Sequence, residues 1–129
     1  MKTQTLETQS SMTPSTALQY LKEGNQRFVN NLKASRNLLK QVNETREGQW
    51  PFAVILSCID SRTSAELIFD QGLGDLFVIR VAGNIVAPSQ VGSIEFAAAR
   101  YGVRLVVVLG HSQCGAVLAS LEELERPSK

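Results

Sequence analysis

Three short apolar runs interrupt an otherwise mixed chain, at 52–58, 76–82 and 104–110. Each is continuous rather than alternating, the pattern of strands buried on both faces of a parallel sheet. The intervals between them carry helical spacing. Ala65, Leu67, Ile68 and Phe69 predict a short helix closed by Gly72 or Gly74. After a start at Pro88, Val91, Ile94, Ala98 and Tyr101 predict a longer one, ended by Gly102. Another is expected from Ala116 to Leu124, stopped by Pro127. Ahead of the first run, Leu18, Leu21, Phe28 and Leu32 recur at helical spacing behind Thr13-Pro14-Ser15, with Gly24 as a weak point. Residues 34–50 read as polar and irregular. Residues 1–13 read as a flexible tail ahead of one domain over 14–129. Strands alternating with helices define an α/β fold in three layers, a mainly parallel sheet flanked by helices, with an N-terminal helical arm.

Composition narrows the function classes. A chain of 129 residues with 43% apolar content supports one core. The formal net charge is +1 with both signs interspersed, which argues against a nucleic-acid or anionic-membrane surface. No apolar stretch approaches the roughly 18 residues of a membrane span. The first 13 residues lack an apolar signal region. With its only two cysteines at strand ends, the chain is expected in a reducing, cytoplasmic setting.

Those cysteines and the single histidine fall where the apolar runs stop. Cys58 lies in Cys58-Ile59-Asp60-Ser61-Arg62, and His111 and Cys114 in His111-Ser112-Gln113-Cys114-Gly115. Open parallel sheets place their sites at the carboxyl ends of strands. If the first and third strands are neighbours, two thiols and an imidazole converge there, beside a helix N-terminus that favours thiolates. Two sulfurs, one ring nitrogen and an open fourth position form the donor set of a catalytic zinc. The plainer alternative makes both cysteines small buried hydrophobes and His111 a satisfied core residue. Asp60 and Arg62 are spaced to form a two-pronged pair that keeps the acid ionised. The pair is an ordinary loop ion pair, a handler of the proton from a metal-bound water, or a source of the fourth ligand through Asp60. Cys58 ahead of Arg62 also suggests a cysteine phosphatase, but the gap is too short for a phosphate cradle and an acid intervenes. Gly72, Gly74 and Gly83 do not form a dinucleotide-binding G-x-G-x-x-G.

Taken together and in order, Cys58-Ile59-Asp60-Ser61-Arg62, Ala82-Gly83-Asn84 and His111-Ser112-Gln113-Cys114-Gly115 closely resemble the β-class carbonic anhydrases. The resemblance runs from about Thr16 to Leu121 and includes Leu21-Lys22-Glu23-Gly24-Asn25 and Phe69-Asp70-Gln71-Gly72-Leu73-Gly74-Asp75. It implies zinc-dependent, reversible hydration of carbon dioxide to bicarbonate and a proton, by attack of zinc-bound hydroxide. One Zn2+ per subunit would be held by Cys58, His111 and Cys114, with Asp60 and Arg62 as the catalytic dyad. Among substrate-binding residues it implies Gln49 as a side-chain donor, Gly115 as a backbone donor, and Phe77 and Ala82 as apolar lining. Phe96 takes the place of an aromatic that reaches in from a partner subunit. The implied assembly is a homodimer or higher homo-oligomer, with no nucleic-acid or membrane partner. Ile55 stands where some bacterial members carry the tryptophan of an inhibitory bicarbonate site, so that regulation is not expected. Family members continue past the H-x2-C helix with more helices and at least one strand, so the chain reads as C-terminally short. The alternative function is a non-catalytic zinc-binding or regulatory form.

Overall fold

The computed structural model describes residues 1–128. The first apolar run forms β1 (Ala53–Ser57), and all five of its residues are buried. β2 (Leu76–Arg80) and β3 (Val106–Val108) pair with it on either side, both parallel, in the order β2-β1-β3. Register places Ser57 opposite Arg80, and Leu56 opposite both Ile79 and Val108. Burial of a whole strand on both faces requires unbroken apolar sequence, which Val54-Ile55-Leu56 provides. The two outer strands differ from that expectation: β2 is only partly covered, and Val106 and Val108 of β3 are exposed.

Three helices precede the sheet: α1 (Leu6–Ser10), α2 (Pro14–Val29) and α3 (Leu38–Glu44). α4 (Ala65–Ile68) connects β1 to β2. A 3-10 turn (Ala82–Asn84) and α5 (Pro88–Tyr101) connect β2 to β3, and α6 (Gly115–Glu125) follows. Side chains of a strand alternate between its faces. Ala53 and Ile55 of β1 accordingly pack with Ala17 and Leu21 of α2 and Ala65 of α4. Val54 packs with Ala97 of α5 on the other side, giving the three layers. α5 stops where Gly102 turns left-handed at φ +69°. Among the described residues no helix is long and apolar enough to cross a membrane.

Two segments are more ordered than their polarity suggests. The stretch over 1–13, expected as a flexible tail, contains α1, capped by the Thr5 side chain, and buries Gln9 and Met12. The Gln9 amide donates to the Pro51 carbonyl at 3.0 Å, so its polar end is satisfied where it is buried. Within 34–50, expected to be irregular, Asn37 accepts from the Lys40 N–H at 3.0 Å and starts α3. Gln41 is then buried, accepting from the Leu73 N–H at 3.1 Å.

α2 also turns a different face to the core. Ala17, Leu21 and Gly24 are buried, whereas Leu18 and Phe28 are exposed, and Leu32, also exposed, lies past the end of the helix at Val29. Gly24 is a point of close approach rather than a weak point: a Cβ there would lie 1.7 Å from the Phe69 carbonyl oxygen. Just beyond, buried Asp70 adopts φ +46° and binds Arg27 Nε at 2.5 Å, Arg36 Nη1 at 2.6 Å and the Ala34 N–H at 2.9 Å. Burial pushes this carboxyl up, but the two guanidiniums outweigh it and hold the group at about 2. One acid thus ties the end of α2, the 34–36 loop and the turn after α4 together.

Asp75 has the opposite balance. Its Oδ2 accepts from the Gly72 N–H at 2.6 Å, while Oδ1 has no partner among the described residues. Burial, only partly offset by the Gly72 N–H, raises its pKa to about 6.

Two outcomes are expected. Gly24→Ala should lower unfolding free energy by about 3 kcal/mol in a urea melt, because backbone must move to admit the methyl group. For Asp75 the neutral form is favoured by folding, so its contribution is intact at acid pH and is lost as pH rises through about 6. Asp75→Asn should therefore gain melting temperature relative to the unaltered chain as pH is raised across that value. A pH-independent difference would refute this.

Candidate metal centre

Cys58 immediately follows β1, His111 follows β3 by a short turn, and Cys114 caps the N-terminus of α6. Because β1 and β3 are parallel neighbours, both strand ends deliver their side chains to the same edge. The two Sγ atoms and a ring nitrogen of His111 all lie within 4.8 Å of one another. The sulfurs are 3.9 Å apart. Tetrahedral zinc with ordinary Zn–S bonds holds two sulfurs about 3.8 Å apart. His111 Nδ1 meets the Ser112 carbonyl at 2.8 Å, which makes Nδ1 the protonated nitrogen and leaves Nε2 to act as ligand. Nε2 is buried and has no hydrogen-bond partner among the described residues. Donor type, spacing and an orphaned nitrogen all fit zinc.

The Cys58 sulfur is biased toward its thiolate form. The nearby His111 ring, then the backbone N–H groups of Gly83 and Asp60, draw the Cys58 thiol down to about 6. The Gly83 N–H lies 3.4 Å from the sulfur. Reciprocally, Cys58 raises the pKa of His111. No hydrogen-bond geometry links ring and sulfur; their closeness carries the effect.

Asp60 and Arg62 form the two-pronged pair. Arg62 Nε and Nη2 donate to Oδ1 and Oδ2 at 3.0 and 2.6 Å, and the Arg62 backbone N–H adds a third bond at 2.9 Å. These bonds from Arg62 hold the Asp60 carboxyl well below the usual carboxylate range. Asp60 Oδ2 lies 3.9 Å from His111 Nδ1, so the carboxylate stands beside the donor cluster while facing Arg62. Arg62 Nη2 also reaches the carbonyl of Gln113 at 3.2 Å, joining the loops after β1 and β3. Gln113 itself takes φ +55°.

The remaining sequence candidates divide by position. Gly115 is the first residue of α6, next to Cys114, and Ala82 opens the 3-10 turn next to Gly83. Phe77 sits within β2 opposite Val54, its ring edge-on to Tyr101 at 5.1 Å. Phe96 is exposed on α5, 5.3 Å from the same tyrosine. Gln49 is exposed in a cleft with Trp50, Arg100 and Tyr101, before the amino end of β1 and so the length of that strand from Cys58. One chain therefore brings Gly115 and Ala82 to the donors, but not Gln49, Phe77 or Phe96.

Residues that sequence reasoning passed over include Arg80, whose Nε and Nη2 hold the carbonyls of Cys58 and Asp60 at 2.9 and 2.6 Å. Its only signal in the sequence is a lone charge inside the second apolar run. Ile55, which stands where some bacterial members carry a regulatory tryptophan, is wholly buried in the core.

Sheet and donor set define an open parallel α/β protein with a Cys-His-Cys group at its carboxyl edge that could hold a metal ion. A carbonic anhydrase family model matches residues 53–129. The carbonic anhydrase of Mycolicibacterium smegmatis is 46% identical over 114 residues, covering 87% of this chain and 55% of that protein. Carbonic anhydrase 2 of Mycobacterium tuberculosis is 49% identical over 111 residues, covering 84% and 53%. The solved β-carbonic anhydrase CcaA superposes with a TM-score of 0.61 at 31% identity, covering 84% of this chain and 56% of that one. A tetrameric β-carbonic anhydrase of Sordaria macrospora superposes at 0.58 with 29% identity, covering 81% and 53%. The chain belongs to the β-class carbonic anhydrase family. It spans about half the length of the curated relatives it matches.

In the metal-free chain, alkylation of Cys58 followed by peptide mass mapping should show a midpoint near pH 6. Replacing the largest influence, in His111→Ala, should move that midpoint toward an ordinary thiol value of about 8.5. An unchanged midpoint in the variant would assign the depression to the backbone donors instead.

Proposed function

We propose that this chain carries the active site of a zinc-dependent carbonic anhydrase, which reversibly hydrates carbon dioxide to bicarbonate and a proton. One observation carries the reading: Cys58, His111 and Cys114 converge at the carboxyl ends of β1 and β3 with an ionised Asp60 beside them. When bound there, zinc supplies the Lewis acidity that makes a water molecule a competent nucleophile near neutral pH.

The chain's own residues account for the rest. Three protein donors leave a fourth position open for chemistry. Two thiolates offset the charge of a divalent ion, so the acidifying pull is weaker than among neutral imidazoles, and proton handling falls more heavily on neighbouring groups. Asp60, an acceptor only, is suited to orient an attacking water by taking a hydrogen bond from its O–H. Arg62 keeps that carboxylate ionised and turned to one side. The Gly115 N–H, in the first turn of α6, has no intrahelical acceptor and is suited to a substrate oxygen. Ala82 supplies apolar wall for an uncharged substrate.

Gln49, Phe77 and Phe96 lie away from the donors within one chain, and this supports a homodimer or higher homo-oligomer that completes the pocket. The reduced cysteines, needed as thiolates, support a cytoplasmic setting.

The test is stopped-flow hydration of carbon dioxide by the zinc-loaded chain at about pH 8.5, with Cys58→Ser as control and zinc content measured in both. Turnover that disappears in the control is expected, with a rate that rises between about pH 6 and 9. A flat profile would count against metal-assisted attack. Stoichiometric zinc without turnover would select a non-catalytic zinc-binding member instead.

A further inference from the structure

The motif Ala82-Gly83-Asn84 supplies none of the metal donors, yet it binds the segments that carry them. After β2 the chain turns back across the carboxyl ends of the other two strands. The Val81 N–H donates to the Ser57 carbonyl at 3.0 Å, and the Gly83 N–H approaches Cys58 Sγ. Asn84 then takes φ +56°, a left-handed conformation that asparagine tolerates better than most residues. From there its side-chain Nδ2 donates to two carbonyls at once: that of Leu56 on β1, at 3.3 Å, and that of Leu109 just beyond β3.

Those two carbonyls are informative by position. Leu56 stands two residues before Cys58, and Leu109 two residues before His111. The β1–β3 register ends at Leu56 opposite Val108, followed by one last bond from the Leu109 N–H to the Leu56 carbonyl at 2.8 Å. Past that point no backbone bond among the described residues joins the two donor-bearing segments. The Asn84 carboxamide is the tie at the place where the ladder gives out. The task needs a short side chain with two amide hydrogens on one nitrogen at a positive φ. Aspartate at the same position would turn oxygen against oxygen. Glycine would keep the backbone conformation and lose the tie.

We propose that Asn84 is a positioning residue of the metal centre, its carboxamide fixing the separation of the Leu56 and Leu109 carbonyls and, through them, that of the Cys58 sulfur and the His111 ring. The proposal rests on the metal-centre reading above. It is distinct from a role in stability alone, because it sets the geometry of donors that Asn84 never touches. Altering groups that hold metal ligands in place from behind typically costs about 10–100-fold in metal affinity.

Cobalt(II) is the probe, since its visible bands report coordination geometry and thiolate ligation without reference to turnover. The unaltered chain, Asn84→Asp and Asn84→Gly are titrated with Co2+ against a competing chelator, and each metal-free chain is melted. The unaltered chain should bind with a tetrahedral, thiolate-containing spectrum, and both variants about 10–100-fold more weakly with shifted bands. If the aspartate variant does not fold, the glycine variant decides the matter, as it leaves the backbone unstrained. Variants equal to the unaltered chain in affinity and spectrum overturn the proposal. A lower melting temperature with an unchanged cobalt spectrum also overturns it, by assigning Asn84 to stability alone. Failure of the unaltered chain to bind cobalt overturns the metal-centre reading, and the proposal with it.

Discussion

The pairing of one wholly buried strand with two parallel neighbours governs where chemistry can sit in this molecule. β1 has no solvent face, so a polar group along its length is left without water, as the hydroxyl of Ser57 at its last position is among the described residues. Its first reactive side chain comes only where the strand ends, at Cys58. Parallel pairing then brings the end of β3 alongside rather than to the opposite edge, and the turn after it adds His111 and Cys114. The helices on both faces seal β1 and leave the carboxyl edge as the place where loops can meet.

Two carboxylates show how similar pairs serve different ends. Asp60 meets Arg62, whose side chain is 64% exposed. An ion pair so open to solvent adds little to stability, and its value is directional. Asp70 meets Arg27 and Arg36 with the acid and Arg36 both buried, where loss of one partner would strand charge inside the protein. The first pair fixes the direction of a carboxylate beside the Cys-His-Cys group. The second joins three chain segments just after α4.

What the sequence disclosed follows from how rare and how local each signal is. Cys58, His111 and Cys114 are the only residues of their types in the chain, and their places at the ends of apolar runs were visible at once. β1, α5 and α6 were legible because one short window contains their whole pattern. α1 and α3 were not, because the residues they bury include Gln9 and Gln41, whose amides are satisfied by distant backbone groups that no local window reveals. On α2 the leucines carry the sequence signal, but small Ala17 and Gly24 let the helix approach. The Asn84 tie was hidden for a similar reason, its acceptors lying 28 and 25 positions away. Gln49, Phe77 and Phe96 came from resemblance alone, and no physical rule in one chain brings them to the donors.

The spacing of the donors has a thermodynamic consequence of its own. Cys58 and Cys114 are 56 positions apart, on segments that meet only in the folded state. A metal shared between them acts as a reversible cross-link that closes a long loop, and closing it in the unfolded chain is costly in entropy. An ion held there would therefore bind the native form far better than the unfolded one, and by mass action the resistance of this domain to unfolding would become a function of free zinc. The centre that would do the chemistry would also be a buckle on the fold, its tension set by the metal supply around it.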